Sequence, residues 1–152
     1  MIDIYNKDAL NKREDELNNA LEAIHFGYRA LIANPDARLA EISFSRVHHR
    51  ILYFIARYPE SSVNELLEVM GVSKQYLNRP LRQLTEKAYV VMRVDNKDRR
   101  IKRIRLSKAG EKLEYELSED QRKRFEKVFQ NAGTEAESGW RKVMALLVSS
   151  KA

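Results

Sequence analysis

The residues of this chain that are best suited to bind an anion are concentrated between residues 71 and 108. That stretch contains 12 Lys and Arg residues but only three acidic residues, Glu86, Asp95 and Asp98, and its net charge is +9. The whole chain of 152 residues carries +6, so the remainder sums to −3. A solvated charged surface is the alternative explanation, but it does not explain why the charge is confined to one region. The asymmetry therefore favours a surface that binds nucleic acid phosphates.

Two short helices with a tight turn between them are predicted inside this region. Ser62 and Glu65 have the spacing of a capping box, in which the Glu65 carboxylate also accepts from the Ser62 backbone N–H. Gly71 is suited to end the first helix, and Ser73 to cap a second helix that runs to about Lys87. Helices joined by so short a turn form a helix-turn-helix, whose second helix enters the major groove of DNA.

The second helix, called the recognition helix below, has a polar side and a leucine side. Its leucines are expected in the core, and its exposed DNA-binding residues are expected to be Ser73, Lys74, Gln75, Tyr76, Asn78, Arg79 and Arg82. Gln75, Asn78 and Arg79 have the groups that contact base edges. Ser73, Lys74 and Arg82 are expected to contact phosphates. Pro80 should kink the helix or end it earlier than predicted, because proline has no N–H.

A two-stranded hairpin is predicted after the recognition helix. Residues 89–94 and 101–106 are rich in strand-forming side chains, and residues 95–100 form a charged turn. Three cations of the turn, Lys97, Arg99 and Arg100, are expected to enter or flank the minor groove. The two acidic residues of the turn, Asp95 and Asp98, are expected to be structural, and Asp98 to hold an arginine in place.

The order of these elements resembles the winged-helix regulators of the multiple antibiotic resistance regulator (MarR) family. The resemblance rests on the helix-turn-helix, on the hairpin sequence DNKDRR and on the following LSKAGEKL, and with the flanking helices it covers nearly the whole chain. The wing signature of that family is close to D-x-R-D-x-R, from which this chain departs at Lys97. Ala88 stands where the family usually has a glycine. The resemblance implies a mainly α fold with a small β-hairpin wing, in which flanking helices form a dimer.

The first and last predicted helices, which lie outside the winged region of residues 43–106, have narrow apolar seams. A helix over residues 10–33, ended by Asn34-Pro35-Asp36 and followed by a short turn at 37–41, carries Leu17, Leu21 and Ile24. A connecting helix over 107–131 precedes a last helix over 134–150, which begins with a second capping box at Thr134 and Glu137. The last helix carries Trp140, Met144 and Leu147. Seams of this kind fit either a core helix or a dimer interface, and the resemblance implies dimerisation helices.

The resemblance also implies a pocket for a small aromatic or anionic effector. The residues that are suited to line this pocket are His25, Tyr28, Arg29, His48, Arg50 and Tyr53. One of the two arginines would bind a carboxylate of the effector. The alternative is that Arg29 and Arg50 are solvated or pair with Glu22 or Glu41. No metal or cofactor is expected, because the adjacent His48 and His49 cannot face the same side of a helix.

Several classes of protein are disfavoured by composition. The chain has no apolar run of about 20 residues that could span a bilayer, no secretory signal and no cysteine, so a cytoplasmic protein is expected. It has no phosphate-binding glycine loop and no arrangement that suggests a catalytic triad, and an enzyme is not expected. The sequence predicts a homodimeric transcriptional repressor that binds a pseudo-palindromic duplex DNA site. The alternative is an effector-independent architectural or protein-interaction module that binds DNA.

Overall fold

The computed structural model describes the backbone of residues 4–150 and the side chains from Asp8 onward. Most of these residues are helical, and three short strands form one antiparallel sheet, so the predicted fold class is confirmed. The elements are α1 (Ile4–Ala40), α2 (Arg46–Arg57), β1 (Ser61–Ser62), α3 (Val63–Met70), α4 (Lys74–Glu86), β2 (Val90–Val94), β3 (Lys102–Leu106), α5 (Lys108–Ala132) and α6 (Thr134–Ser149). None of the helices within residues 4–150 is both long and apolar enough to cross a membrane.

The chain divides into two compact units, Met1–Asn34 and Pro35–Ala152. The second unit contains one hydrophobic core to which the end of α1, the helices α2 to α5 and the sheet all contribute. Its fully buried side chains are Leu39, Ile51, Leu52, Ile55, Leu66, Leu77, Leu84, Ile104 and Leu117. This core supports the helix-turn-helix and the hairpin from behind.

The predicted limits of the helix-turn-helix are confirmed. The Ser62 hydroxyl accepts a hydrogen bond of 3.1 Å from the Glu65 N–H at the start of α3. Gly71 ends α3 at a φ of 65°, and the Ser73 hydroxyl accepts a bond of 3.1 Å from the Tyr76 N–H at the start of α4. Pro80 neither ends α4 nor shortens it, because the helix continues to Glu86.

The predicted end of α1 is wrong. The helix begins at Ile4 and continues through Pro35 to Ala40, so all but the last residue of the expected turn at 37–41 is helical. Proline inside a helix costs about 3 kcal/mol, and full burial of Leu39 one turn later offsets about 1.5–3 kcal/mol of that cost. The Asp36 carboxylate lies within the helix and accepts a bond of 3.1 Å from the Arg46 guanidinium.

Two other helix starts differ from the prediction. The winged region was predicted to begin at residue 43, but its first helix, α2, begins at Arg46, because Ser43 has a φ of 60°, which is not helical. Gly133, at a φ of 95°, takes the cap position of α6 and makes Thr134 the first helical residue, so the predicted cap at Thr134 is wrong. Glu137, which was expected to complete that capping box, accepts from the Arg141 side chain.

The sheet contains one strand that was not predicted. Its order is β1-β3-β2, and the two-residue β1 pairs with β3 through Ser61 opposite Ile104. The predicted hairpin of β2 and β3 is confirmed, with Val90 opposite Leu106 and Val94 opposite Lys102. Because β1 immediately precedes α3, the sheet ties the hairpin to the start of the helix-turn-helix.

Candidate DNA interface

Helix α4 presents a polar side to solvent. Leu77, Leu81 and Leu84 are buried, which leaves five of the predicted contact residues exposed along α4: Lys74, Gln75, Asn78, Arg79 and Arg82. Tyr76, which was expected to be exposed, is half-buried, and its hydroxyl accepts a bond of 2.9 Å from the Arg50 guanidinium. The exposed set contains three cations and two side-chain amides, which are the groups that contact phosphates and base edges.

The start of α4 is itself suited to an anion. Ser73 is exposed, and because its hydroxyl oxygen accepts from the Tyr76 N–H, the hydroxyl hydrogen can still donate to another group. The N-terminus of a helix also carries a partial positive charge and unpaired backbone N–H groups. A phosphate near Ser73 would therefore be stabilised by the helix and by the adjacent Lys74.

A groove of about 600 Å³ lies between α4 and the hairpin, and its wall is completed by the start of α3. Four cationic side chains line it, Lys74, Arg82, Arg100 and Lys102, together with one acidic residue, Glu86. Asn78 lies on the same wall. The recognition helix and the hairpin thus present cations toward one shared, open groove.

The tip of the hairpin is organised by the Asp95 carboxylate. Its Oδ2 accepts from the backbone N–H groups of Asp98 at 2.9 Å and Lys97 at 3.0 Å, and its Oδ1 accepts from Arg103 Nε at 3.1 Å. The bond from the Asp98 backbone and the bond from Arg103 lower the pKa of Asp95 to about 2. The turn is closed by the bond from the Asp95 N–H to the Ile101 carbonyl, at 2.9 Å.

Arg103, which was not among the predicted site residues, connects this tip to the helix-turn-helix. Its NH1 lies 3.2 Å from Glu65 Oε1 at the start of α3, while its Nε binds Asp95. The Glu65 carboxylate accepts from Arg103, whereas the described cap of α3 has the bond from the Glu65 N–H to the Ser62 hydroxyl without the expected return bond from the Ser62 N–H. Alternation along β3 predicts the side of the strand on which Arg103 lies, but not a partner 38 residues earlier.

The predicted wing cations differ in their contacts. Arg100 donates from Nε to Asp98 Oδ1 at 3.1 Å and from NH2 to Asp98 Oδ2 at 3.2 Å, while 91% of its side chain stays exposed. These bonds from Arg100 hold the pKa of Asp98 below its ordinary value. Lys97 and Arg99 are exposed and make no ion pair with the described part of the chain. Lys97 and Arg99 are thus available to an anion without breaking an existing bond.

The residues of the predicted effector pocket belong to both units. His25, Tyr28 and Arg29 lie on α1 in the first unit, and all three are exposed. On α2, in the second unit, the His48 ring lies 2.8 Å from the Gln83 side chain, Arg50 donates to Tyr76, and Tyr53 is exposed. Arg50 thus has a partner other than Glu41, which accepts from Arg38. The pocket stays a prediction.

His49 lies in the core, where its Nε2 is 3.1 Å from the Ser118 hydroxyl of α5. Because that hydroxyl donates to Glu114 at 2.8 Å, its oxygen accepts from the histidine. Burial lowers the pKa of His49 to about 4, against the opposing effect of Asp36. Among residues 4–150, no group of three or more His, Asp or Glu side chains is placed to hold a metal ion.

The side chains predicted to form a dimer interface are largely exposed in the single chain. Leu21 of α1 is 70% exposed, and Leu147 of α6 is 52% exposed. Leu17, Ile24 and Trp140 are also exposed, and Met144 is partly buried. Within the described chain no residue of α6 is buried, although the Trp140 ring packs on Phe125 and Phe129 of α5. An apolar surface of this kind is typical of a protein interface.

Comparison with known proteins places these features in a family. The sequence model of the MarR family matches residues 42–101. The regulator PetP of Rhodobacter capsulatus, described as an HTH-type transcriptional regulator, is 39% identical over 135 residues, which cover 89% of this chain and 81% of PetP.

Two solved structures have the same fold at low sequence identity. FabT of Streptococcus pneumoniae, solved in complex with DNA, is 17% identical with a TM-score of 0.76, over 89% of this chain and 94% of FabT. NadR, solved in complex with 4-hydroxyphenylacetate, is 20% identical with a TM-score of 0.69, over 85% of this chain and 92% of NadR.

The match to PetP extends over most of both chains, and the family match covers the helix-turn-helix, β2 and the turn of the hairpin. The family and this relative are transcription regulators and not enzymes. The chain therefore belongs to the MarR family of winged-helix transcriptional regulators.

Proposed function

We propose that this regulator binds a pseudo-palindromic duplex DNA operator as a homodimer and represses transcription by occluding a promoter. The observation that carries the proposal is the groove in which α4 and the hairpin present Lys74, Arg82, Arg100 and Lys102 together. An α-helix fits the major groove of DNA, and a hairpin beside it reaches the adjacent minor groove. Phosphates of the intervening backbone would then face the four cations.

The exposed residues of α4 divide between sequence recognition and backbone contact. Gln75 and Asn78 present amides that form paired bonds with adenine, and Arg79 presents a guanidinium that forms them with guanine, each worth about 1–3 kcal/mol of discrimination. Ser73 at the helix cap, and Lys74 and Arg82 on the groove wall, are proposed to bind phosphates. At the tip, Lys97, Arg99 and Arg100 enter or flank the minor groove, with Asp95 and Asp98 supporting the turn.

The homodimer follows from the exposed apolar side chains of α1 and α6. A single chain leaves Leu17, Leu21, Ile24, Trp140 and Leu147 in contact with water, and burial of such side chains is stabilising by roughly 25 cal/mol per Å² of apolar surface. A two-fold axis presents two recognition helices about 34 Å apart, which suits half-sites separated by one turn of DNA. FabT, which shares the fold, is solved with DNA.

The effector is proposed to be a small aromatic or anionic molecule. NadR, which shares the fold, is solved with 4-hydroxyphenylacetate, an aromatic carboxylate. In this chain Arg29 is the exposed cation of the proposed pocket residues on α1, beside Tyr28 and His25. An effector that binds the DNA-free form more tightly than the DNA-bound form lowers operator affinity by the same factor.

The first test is a selection of bound sequences from random duplex DNA at two salt concentrations. A two-fold symmetric motif with half-sites one helical turn apart is the expected result. Asn78→Ala should relax one position of the motif, whereas Lys127→Ala, on the exposed side of α5, serves as a control that leaves the motif unchanged. Binding without any motif, and with an affinity that collapses as salt rises, would contradict sequence-specific regulation.

The second test is a titration of the protein–operator complex with 4-hydroxyphenylacetate and related aromatic carboxylates, followed by fluorescence polarisation of labelled DNA. Release of DNA by wild type, with a weaker response from Arg29→Gln, is the expected result. An operator affinity that none of these anions changes would contradict the effector and leave the DNA-binding function standing.

A further inference from the structure

Helix α4 is bonded to α2 through two side chains on one of its sides. Tyr76 lies in the first turns of α4 and Gln83 lies seven residues later, and both are half-buried. Seven residues are nearly two helical turns, so the two side chains project in almost the same direction about 10 Å apart. Two bonds at that separation control both the rotation of a helix about its axis and its tilt.

The partners of the two side chains are close together on α2. Arg50 donates from NH1 to the Tyr76 hydroxyl at 2.9 Å, and the His48 Nε2 lies 2.8 Å from Gln83 Oε1. The backbone N–H of Ser45 donates to His48 Nδ1 at 3.0 Å, so the ring hydrogen is on Nε2 and the histidine donates to Gln83. The His48 ring is also buried and stacked on Phe44 with the centroids 4.4 Å apart, which holds it in this orientation.

Pro80 lies between the two bonded positions. It has no N–H to donate to the carbonyl of Tyr76, so the hydrogen-bond ladder of α4 is interrupted between Tyr76 and Gln83. The buried Leu77, Leu81 and Leu84 hold the helix against the core, but hydrophobic contact has no direction of its own. The half of α4 that precedes Pro80 carries Gln75, Asn78 and Arg79, so its orientation depends on bonds other than the helical ladder.

We propose that Arg50 and His48 are positioning residues for DNA recognition. Arg50 orients the half of α4 before Pro80 through Tyr76, and His48 orients the half after it through Gln83. This inference rests on the proposed DNA-binding function, and it gives two of the predicted effector-pocket residues a role in presenting the base-contacting side chains.

Direct contact with DNA by Tyr76 is the competing explanation. The tyrosine oxygen accepts from Arg50, so its hydroxyl hydrogen remains able to donate to a phosphate. A phosphate contact and a positioning contact differ in their salt dependence, because neutralising a phosphate releases counterions and orienting a helix does not. They also differ in specificity, because a phosphate contact strengthens binding to every DNA sequence equally.

The variants Tyr76→Phe and Gln83→Met each remove one bond and keep a side chain of similar size. Tyr115→Phe and Gln130→Met are matched controls on the exposed side of α5. Loss of one hydrogen bond should weaken binding to the selected operator about five- to tenfold. Binding to random duplex DNA and the salt slope should stay as in wild type, and both controls should bind as wild type does.

A measurement without DNA keeps this inference separate from the proposed function. Hydrogen exchange of the backbone amides, followed by mass spectrometry, should show faster exchange in residues 74–79 for Tyr76→Phe and in residues 81–86 for Gln83→Met, and unchanged exchange in α5. Unchanged exchange in α4 would overturn the positioning role whether or not the protein binds DNA. An operator affinity of both variants equal to that of wild type would also overturn the positioning role. So would a loss of affinity for random DNA as large as the loss for the operator, accompanied by a smaller salt slope. Failure of wild type to select any motif would contradict the proposed function, while the exchange result would still decide whether the bonds orient α4.

Discussion

Replacement of Ala88 by glycine should stabilise the protein. Ala88 joins α4 to β2 at a φ of 62°, a left-handed conformation. Its N–H donates to the Thr85 carbonyl at 3.0 Å and its carbonyl accepts from the Ser107 hydroxyl, so the surrounding turn holds it there. A residue with a Cβ pays about 1–2 kcal/mol for this conformation. Glycine removes that cost but loses about 0.5–1 kcal/mol more conformational entropy on folding.

The expected net gain from Ala88→Gly is about 0.5–1 kcal/mol in the free energy of unfolding. Gly71→Ala is the matched control, because Gly71 has a φ of 65° and an added methyl group there would meet no atom within 4 Å. It should therefore lose about as much stability as Ala88→Gly gains, through the backbone alone.

Thermal unfolding followed by circular dichroism measures both variants. For a domain of this size, 1 kcal/mol corresponds to a shift in Tm of about 2–4 °C. Ala88→Gly should therefore raise Tm by roughly 1–4 °C and Gly71→Ala should lower it by a similar amount. All three proteins are compared at one concentration, because the proposed dimer would make Tm depend on concentration. A decrease in Tm for Ala88→Gly, alongside the decrease for Gly71→Ala, would refute the strain argument.

Three further predictions concern acid stability, DNA contacts and assembly. The pKa of His49 is about 4 in the folded protein and 6.5 in the unfolded chain, so the unfolded chain binds the proton first as the pH falls. The free energy of unfolding should therefore decrease by on the order of 3 kcal/mol as the pH drops from 6.5 toward 4. Urea unfolding at pH 7 and pH 5 should show a smaller acid loss for His49→Gln, and an equal loss in both proteins would be contrary evidence. Lys97→Ala should reduce the salt slope of operator binding by about two, one for each protomer of the proposed dimer, whereas Asn78→Ala should leave the slope unchanged and reduce discrimination by about 1–3 kcal/mol in each half-site. Leu147→Glu should give a folded monomer by light scattering, because the side chain is 52% exposed within the chain, and a dimer that persists would place the interface elsewhere.

The parts of the fold that were predictable from the sequence depend on residues near one another in the chain. The caps at Ser62 and Ser73 and the left-handed Gly71 each act within four residues, and all three are confirmed. Leucines spaced at three and four residues likewise place one side of α4 in the core. Signals of this range were enough to predict a winged helix-turn-helix and the hairpin beside it.

Local signals were wrong where burial decided the outcome. Pro35 was expected to end α1, but Leu39 is fully buried one turn later, and the helix continues to it. Pro80 was expected to kink or end α4, because proline has no N–H to donate. The buried leucines on both sides of Pro80 keep that helix continuous. A proline therefore destabilises a helix locally, and the helix continues where burial of the following residues offsets that cost.

The side-chain partners could not be predicted, because they are distant in sequence. Glu65 had a local partner in the capping box, but it pairs with Arg103 of the hairpin, 38 residues later. Arg50 was predicted to bind the carboxylate of an effector, because it is an arginine, but it donates to Tyr76 of the recognition helix. A charged side chain takes the partner that the tertiary packing brings within reach, and in this chain that packing connects the recognition helix and the wing to the helices behind them. The residue types alone therefore predict a candidate DNA-binding surface, but they do not predict the bonds from Arg50 and His48 that lie beneath it.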